Sequence, residues 1–493
     1  IQIFQKLTMK IQNFFRNFHS LDSTNSYLYL FTLCIITRLI TSINYLEDID
    51  SMRFALSLFD YSIVELRPHF PGYPVFCFIS KIIYSIFNSV QMTFSIMGGI
   101  SIFIIIYYSN LLFKLLTNLT SNYLTILLFL NPLLWNLGNR YMSDLFGLSL
   151  LIMTCYYFIL YIKIQNIKNL YFGIFILGLL AGVRISFIPF FIPILVYFIF
   201  ITSNKNIFYA SLVLIVSVMA WLVPLILITG LENLYNVSLS HINGHFYKWG
   251  GSVITSSSSY SFRLEKIIES IWSDGMGGWW SGRHFITLLL SIGWIISFLN
   301  IRSFRFNDYK KNRLIILLFA SNTFYLLWIF FFQNVVYKPR HTIPILPFIL
   351  MISTLGLLSI SKSFKNKNIF IYPFFILLFA ITSFLNWQHQ SPSAISQIKT
   401  FIINQDSDYK IFCSSNLINS YMKKHEGAQD ILFLSTSSLD EIKKYYQSGY
   451  NIYSTKNLAD LGMELEFEDV FYHNPYVNRL WSSMRIYEYK KSK

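Results

Sequence analysis

Three carboxylates stand within four residues in Tyr45-Leu46-Glu47-Asp48-Ile49-Asp50-Ser51-Met52-Arg53-Phe54-Ala55. A carboxylate can take a proton from an attacking hydroxyl or amine. A pair can also hold a divalent cation, Mg or Mn, that neutralises a phosphate. Glu47, Asp48 and Asp50 are therefore candidate bases, and Asp48 with Asp50 is a candidate cation site. Solvated loop acids are the structural alternative, and the scarcity of acids weighs against it. Between Glu65 and Glu232 the chain has a single acid, Asp144, in Asn139-Arg140-Tyr141-Met142-Ser143-Asp144. An ionisable group in so apolar a stretch is a functional candidate. It can also cap the helix that follows, and the two roles are compatible.

Cations recur at matching places. Arg67-Pro68-His69-Phe70-Pro71-Gly72-Tyr73-Pro74 has three prolines in seven residues. That excludes a regular helix and leaves a shaped loop presenting Arg67 and His69. Arg184 follows in Ala181-Gly182-Val183-Arg184-Ile185-Ser186, and Tyr337-Lys338-Pro339-Arg340-His341 adds three potential cations in four residues. Such groups hold phosphate through charge-assisted bonds, or anchor the chain at lipid headgroups. Between 231 and 283 the chain places His241, His245, Trp249 and Trp279 among glycines. Aromatic faces beside glycine suit a sugar platform or an interfacial aromatic belt. The four-residue spacing of the two histidines lacks the companion Glu of a metal motif.

The elements that must position these residues are membrane helices. Of 493 residues, 54% are hydrophobic, 18% aromatic and only 13% charged, about half the roughly 25% charge of soluble domains. Mean hydropathy is +0.48. An ordinary soluble enzyme, a disordered chain and a coiled coil are excluded. Apolar runs of about 20 residues, the length of a bilayer-crossing helix, predict eleven spans: 27–46, 91–113, 121–138, 143–162, 169–185, 187–203, 207–230, 284–300, 314–333, 341–360 and 368–387. The segment Val75–Phe87 reads as a further helix lying along the membrane surface.

The net charge of +15 does not point to nucleic acid. Residues 391–493 hold 12 of the 39 basic and 12 of the 24 acidic residues, so the whole excess lies in the first 390. There Lys114, Lys163, Lys168, Lys205, Arg302, Arg305, Lys310, Lys311, Arg313, Lys362, Lys365 and Lys367 fall in alternate short loops. The positive-inside bias puts those loops and the amphipathic N-terminus, 1–26, in the cytoplasm. No cleavable signal peptide is evident. Loops 47–90 and 231–283 and the tail 391–493 then lie outside.

The tail alternates strand-like and helix-like runs and reads as a small extracytoplasmic α/β domain. It has no glycine-rich phosphate loop and is assigned no catalysis. Cys34, Cys77, Cys155 and Cys413 show neither metal spacing nor a disulfide framework. The absence of an internal repeat argues against a duplicated transporter. The fold class is an all-α polytopic membrane protein, 27–390, with that C-terminal domain.

Taken in order, these segments resemble the C-type membrane glycosyltransferases, especially the aminoarabinose transferase and family 39-like protein O-mannosyltransferase group. Asp50-Ser51-Met52-Arg53-Phe54-Ala55 is similar to the family's Asp-Glu-x-Arg-Tyr-Ala segment, with Ser51 where Glu is common. Arg67–Pro74 is similar to its His-Pro-Pro-Gly-Tyr-Pro segment, and Asp144 to the carboxylate at the outer end of its fourth span. Arg184 and Lys338–His341 fall where related enzymes place basic residues. The resemblance implies a polyprenyl-phosphate-linked sugar donor and a lipid, glycan or protein acceptor. It implies inverting transfer at the outer face of a prokaryotic cytoplasmic membrane, with Asp50 as base and Asp48 and Glu47 as close alternatives. Two other classes stay open. A flippase for a lipid-linked saccharide would need charges deep in several spans, and an assembly protein would use the tail for docking.

Overall fold

A computed structural model describes residues 24–248, 250–303, 313–363, 367–405, 410–423 and 428–491. The amphipathic run before residue 24, Trp249, Arg305, Lys310, Lys311 and Lys365 lie outside the described residues. The first half of the chain forms α1 (Thr24–Ile40), α2 (Ile49–Ser57), α3 (Pro74–Phe87), α4 (Val90–Thr117), α5 (Asn122–Phe129), α6 (Pro132–Asn139), α7 (Asp144–Ile164) and α8 (Ile167–Arg184). Then come α9 (Ile192–Ile201), α10 (Asn204–Thr229), α11 (Leu231–Asn243), α12 (Tyr260–Glu269), α13 (Ile286–Leu299), α14 (Arg313–Phe332), α15 (Leu346–Ser363) and α16 (Asn368–His389).

Among the described residues, seven helical runs are long and apolar enough to cross a membrane, and three apolar helices are shorter. The chain is a multi-pass membrane protein. Its helix boundaries differ from the sequence expectation where proline intervenes. The expected span 121–138 is two eight-residue helices, α5 and α6. The break falls at Asn131-Pro132, where the Asn131 side chain caps α6 by accepting from the Leu134 N–H at 3.0 Å. Pro132 has no N–H to continue a helix but suits the first position of a new one. The expected spans 169–185 and 187–203 join instead into one run, Ile167–Ile201. A 3₁₀ segment, Ile185–Phe191, with Pro189 inside it, carries the join. The expected surface helix is α3, which opens on Pro74.

The bundle packs α4 against α1, α6 and α7, and α8 between α7 and α10. Gly98 on α4 lets it approach α6 closely: a Cβ there would fall 1.7 Å from the Gly138 carbonyl oxygen. Small residues at helix crossings are the usual means of such approach in membranes. This contact fixes the end of α6, and with it Arg140.

The tail adds α17 (Ala394–Ile403), β1 (Lys410–Ser414), α18 (Asn416–Met422), β2 (Ile431–Ser435), α19 (Leu439–Gln447), β3 (Asn451–Ser454), β4 (Leu465–Tyr472) and β5 (Ser483–Tyr489). The sheet order is β2-β1-β3-β5-β4. Strand β1 pairs in parallel with β2 and β3, and β5 runs antiparallel to β3 and β4. Strand β1, interior to the sheet, is buried on both faces, as a parallel strand covered by helices requires. Between β4 and β5 a strap, residues 474–481, leaves the sheet and reaches the membrane domain.

Candidate functional site

The three acids of the first loop separate at the start of α2. Asp48 is extended (φ −150°) and its Oδ1 accepts from the Ser51 N–H at 2.9 Å, an N-cap that starts the helix. Glu47 therefore points back into the protein, and Asp50 stands in the first turn.

Glu47 is fully buried. It accepts from Arg140 Nε and Nη2, both at 2.8 Å, and lies 2.8 Å from His389 Nε2. Its backbone carbonyl accepts from Asn478 Nδ2 at 2.7 Å. Burial pushes its carboxyl up, but Arg140 and His389 outweigh burial and hold it well below the usual range. Glu47 thus ties the first loop to the ends of α6 and α16 and to the strap, and it does not line the large cavity described next.

Asp50 lines a cavity of about 590 Å³. Its Oδ2 accepts from Lys338 Nζ at 2.7 Å and from Arg340 Nη2 at 2.5 Å. Arg53 Nη1 lies 3.4 Å and His69 Nδ1 3.9 Å from Oδ1. Burial would raise the Asp50 carboxyl, but the charges of Lys338 and Arg340 dominate and hold it well below the usual range. Asp144, in the first turn of α7, meets Arg184 Nη2 at 2.8 Å and Arg340 Nε at 3.6 Å. Arg340 Nη1 also lies 3.9 Å from Asp48 Oδ2, so one guanidinium faces three acids. Burial, then the Asp50 charge, pushes the Asp48 carboxyl up.

The same cavity gathers His69, His241, His245 and His341. His69 and His241 stack with ring centroids 5.6 Å apart, and His241 and His245 at 6.4 Å. His69 Nε2 pairs with the Tyr73 hydroxyl at 2.9 Å, and His245 Nε2 donates to the Phe332 carbonyl at 2.9 Å. Burial lowers His69 well below its ordinary value, and burial with His245 lowers His241 to about 4. His245 is lowered too, again chiefly by burial. These three imidazoles form a neutral, aromatic, hydrogen-bonding wall at pH 7.

Other expected residues lie elsewhere. Arg67 pairs with Asp60 at 2.8 Å and with Glu65 in an exposed turn. Trp279 is 46% exposed and does not line the cavity. Trp249 is outside the described residues. Several lining residues escaped the sequence reading: Arg53, Tyr73, Trp328, Gln333 and Asn334. Arg53 had a signal, its three-residue spacing from Asp50 on one helix face. Arg140 and His389 had none, because their partner lies 93 and 342 residues away.

The acids do not fit a divalent cation. Asp50 Oδ2 is taken by two cationic donors, and among the described residues no group of three or more His, Cys, Asp or Glu converges to hold a metal.

The strap closes the far side. Arg479 Nη2 lies 2.6 Å from Asp274 Oδ2 and 3.0 Å from Glu269 Oε1. The Arg283 guanidinium stacks over the Tyr476 ring at 3.8 Å, and the Tyr476 hydroxyl donates to the Ser281 carbonyl at 2.7 Å. Burial pushes buried Asp274 up to about 6. The strap thereby joins the first outer loop to the segment 269–283.

No protein-family model matches the chain, and no curated protein matches it. Solved structures do. The chain is similar to ArnT from Cupriavidus metallidurans bound to undecaprenyl phosphate, with TM-score 0.53 and 10% identity over 94% of this chain and 98% of that one. Apo ArnT matches over the same shares, with TM-score 0.53 and 9% identity. The archaeal oligosaccharyltransferase AglB from Archaeoglobus fulgidus, in complex with an inhibitory peptide and a dolichol-phosphate, gives TM-score 0.46 and 9% identity over 87% of this chain and 69% of that one. Over 94% of its length the chain shares the fold of ArnT.

Proposed function

We propose that this protein is a glycosyltransferase that moves a sugar from a polyprenyl-phosphate donor to a lipid, glycan or protein acceptor. The reaction takes place at the outer face of a prokaryotic cytoplasmic membrane, and the N-terminus lies inside. One observation carries the reading: four segments far apart in sequence bring Asp50, Asp144, Arg184, Lys338 and Arg340 to one cavity. The fold shared with a protein solved with undecaprenyl phosphate supports it.

The reaction is a single displacement with inversion. The acceptor oxygen attacks the anomeric carbon as Asp50 takes its proton. The bond from that carbon to the phosphate oxygen breaks, and the polyprenyl phosphate leaves with the electron pair. Lys338, Arg340 and Arg184 stabilise the charge that develops on it. Glu47 is a structural tie and Asp48 a helix cap. The imidazole wall of His69, His241 and His245 contacts the sugar or the acceptor. The test is transfer of a labelled sugar from a polyprenyl-phosphate donor to membrane acceptors. Wild-type transfer that disappears in Asp50→Asn supports the reading, and full activity in that variant removes Asp50 as the base.

A further inference from the structure

A second cavity of about 440 Å³ lies behind the helix that carries Asp50. At 100° per residue, Asp50, Arg53 and Phe54 share one face of α2 and line the large cavity. Ala55 and Leu56 point the other way and, with Phe59, line the second. Its remaining wall comes from the loop after α1, the start of α4, and the tail through Lys399 on α17 and Tyr421 on α18. It therefore sits beside the end of α1 and the start of α4, and the ends of bilayer-crossing helices lie at headgroup depth.

Its chemistry is the opposite of the large cavity's. Among the described residues, no carboxylate lines it. The Lys399 ammonium stands 4.5 Å over the Tyr421 ring, and among the described residues it pairs with no acid. Tyr45 is 8% exposed and also lines this space. Gln91 adds an amide, while Leu56 and Phe59 offer an apolar side, and Phe59 is 48% exposed. An unmatched cation at a bilayer edge attracts anionic headgroups.

We propose that this cavity binds the phosphodiester headgroup of an anionic glycerophospholipid. Lys399 meets the phosphate, and the lipid's apolar portion lies against Leu56 and Phe59. The site is separate from the donor cavity, so the proposal does not depend on the transferase reading.

The experiment uses the full chain in a neutral detergent, titrated with phosphatidylglycerol or phosphatidylcholine and read by native mass spectrometry. Phosphatidylglycerol should bind at least about fivefold more tightly, the worth of one lysine near a charged membrane surface. Lys399→Gln should lose that preference and Lys399→Arg should keep it. Arg340→Gln, in the other cavity, should leave it intact. Equal binding of the two lipids by wild type would overturn the proposal, as would a preference that survives Lys399→Gln. Soluble glycerol phosphate binding as tightly as the lipid would overturn the lipid assignment.

Discussion

Asp50→Asn should raise donor affinity while turnover collapses. The change keeps the shape of the side chain and removes its charge. In the ligand-free protein Asp50 Oδ2 accepts from Lys338 at 2.7 Å and from Arg340 at 2.5 Å. In the proposed reaction the donor phosphate needs the same two cations and must compete with Asp50 for them. Hydrogen bonds to charged groups contribute about 1.5–3 kcal/mol each, and the phosphate replaces part of what it displaces. Relieving the competition should therefore tighten donor binding by about 1–2 kcal/mol, roughly 5–30-fold. Removing a general base lowers turnover by about 10²–10⁴-fold. The assay has two arms: equilibrium binding of undecaprenyl phosphate, and initial rates with a labelled polyprenyl-phosphate sugar that separate kcat from KM. If the variant turns over within about threefold of wild type, far short of the general-base range, Asp50 is not the base. If it binds the lipid phosphate more weakly, Lys338 and Arg340 are not shared between carboxylate and phosphate.

Glu47→Gln strands the Arg140 guanidinium in a buried site. It should lower stability by about 3–5 kcal/mol, read as an earlier thermal transition in detergent. His241 has a folded value of about 4 against an ordinary 6.5. The unfolded chain therefore binds its proton first, and the contribution of neutral His241 to stability is lost as pH drops from about 6.5 to about 4. His241→Asn should reduce the loss of stability over that range; an unchanged slope would rule out His241 as a contributor. Arg67→Ala breaks only pairs with exposed acids. It should cost less than about 1 kcal/mol and leave transfer near wild type, whereas Arg340→Ala should abolish transfer. Arg479→Ala should expose the segment 269–283 to limited proteolysis, because Asp274 and Glu269 lose their shared partner.

The membrane fold was legible because hydropathy acts locally: each apolar run carries its own evidence of burial in lipid. The tail's order of strands and helices was legible for the same reason, from Lys410–Ser414 through Ser483–Tyr489. Breaks inside apolar runs were less so. Asn131-Pro132 cuts one expected span in two, while Pro189 sits inside a run that continues. Proline constrains its own residue, but packing decides whether the run bends or ends. Among residues that line the large cavity, scarcity picked out Asp50 and Asp144, and short-range clustering picked out Lys338, Arg340 and His341. Three adjacent acids could not be told apart from sequence. Their fates depend on where α2 starts, on Arg140 and His389, and on a guanidinium 290 residues away from Asp50. The strap had no local signal, since its worth lies in Asn478 and Arg479 meeting loops that sequence does not place beside them.

In the proposed reaction, charge around Arg340 suits a phosphate-linked donor better than a neutral one. Arg53, Arg184, Lys338 and Arg340 face Asp48, Asp50 and Asp144. Four cations against three acids leave one positive charge, and the imidazoles of His69, His241 and His245 are held neutral by burial. A sugar phosphodiester carries one negative charge and balances that surplus on binding. As the glycosidic bond breaks, the phosphate gains a second negative charge, and the proton taken from the acceptor cancels one on Asp50. Lys338 and Arg340 are then released from a carboxylate that has become neutral, at the moment the leaving group needs them most. Binding that strengthens in the transition state is what lowers the barrier. A neutral leaving group would leave the surplus uncompensated throughout and gain nothing from the exchange.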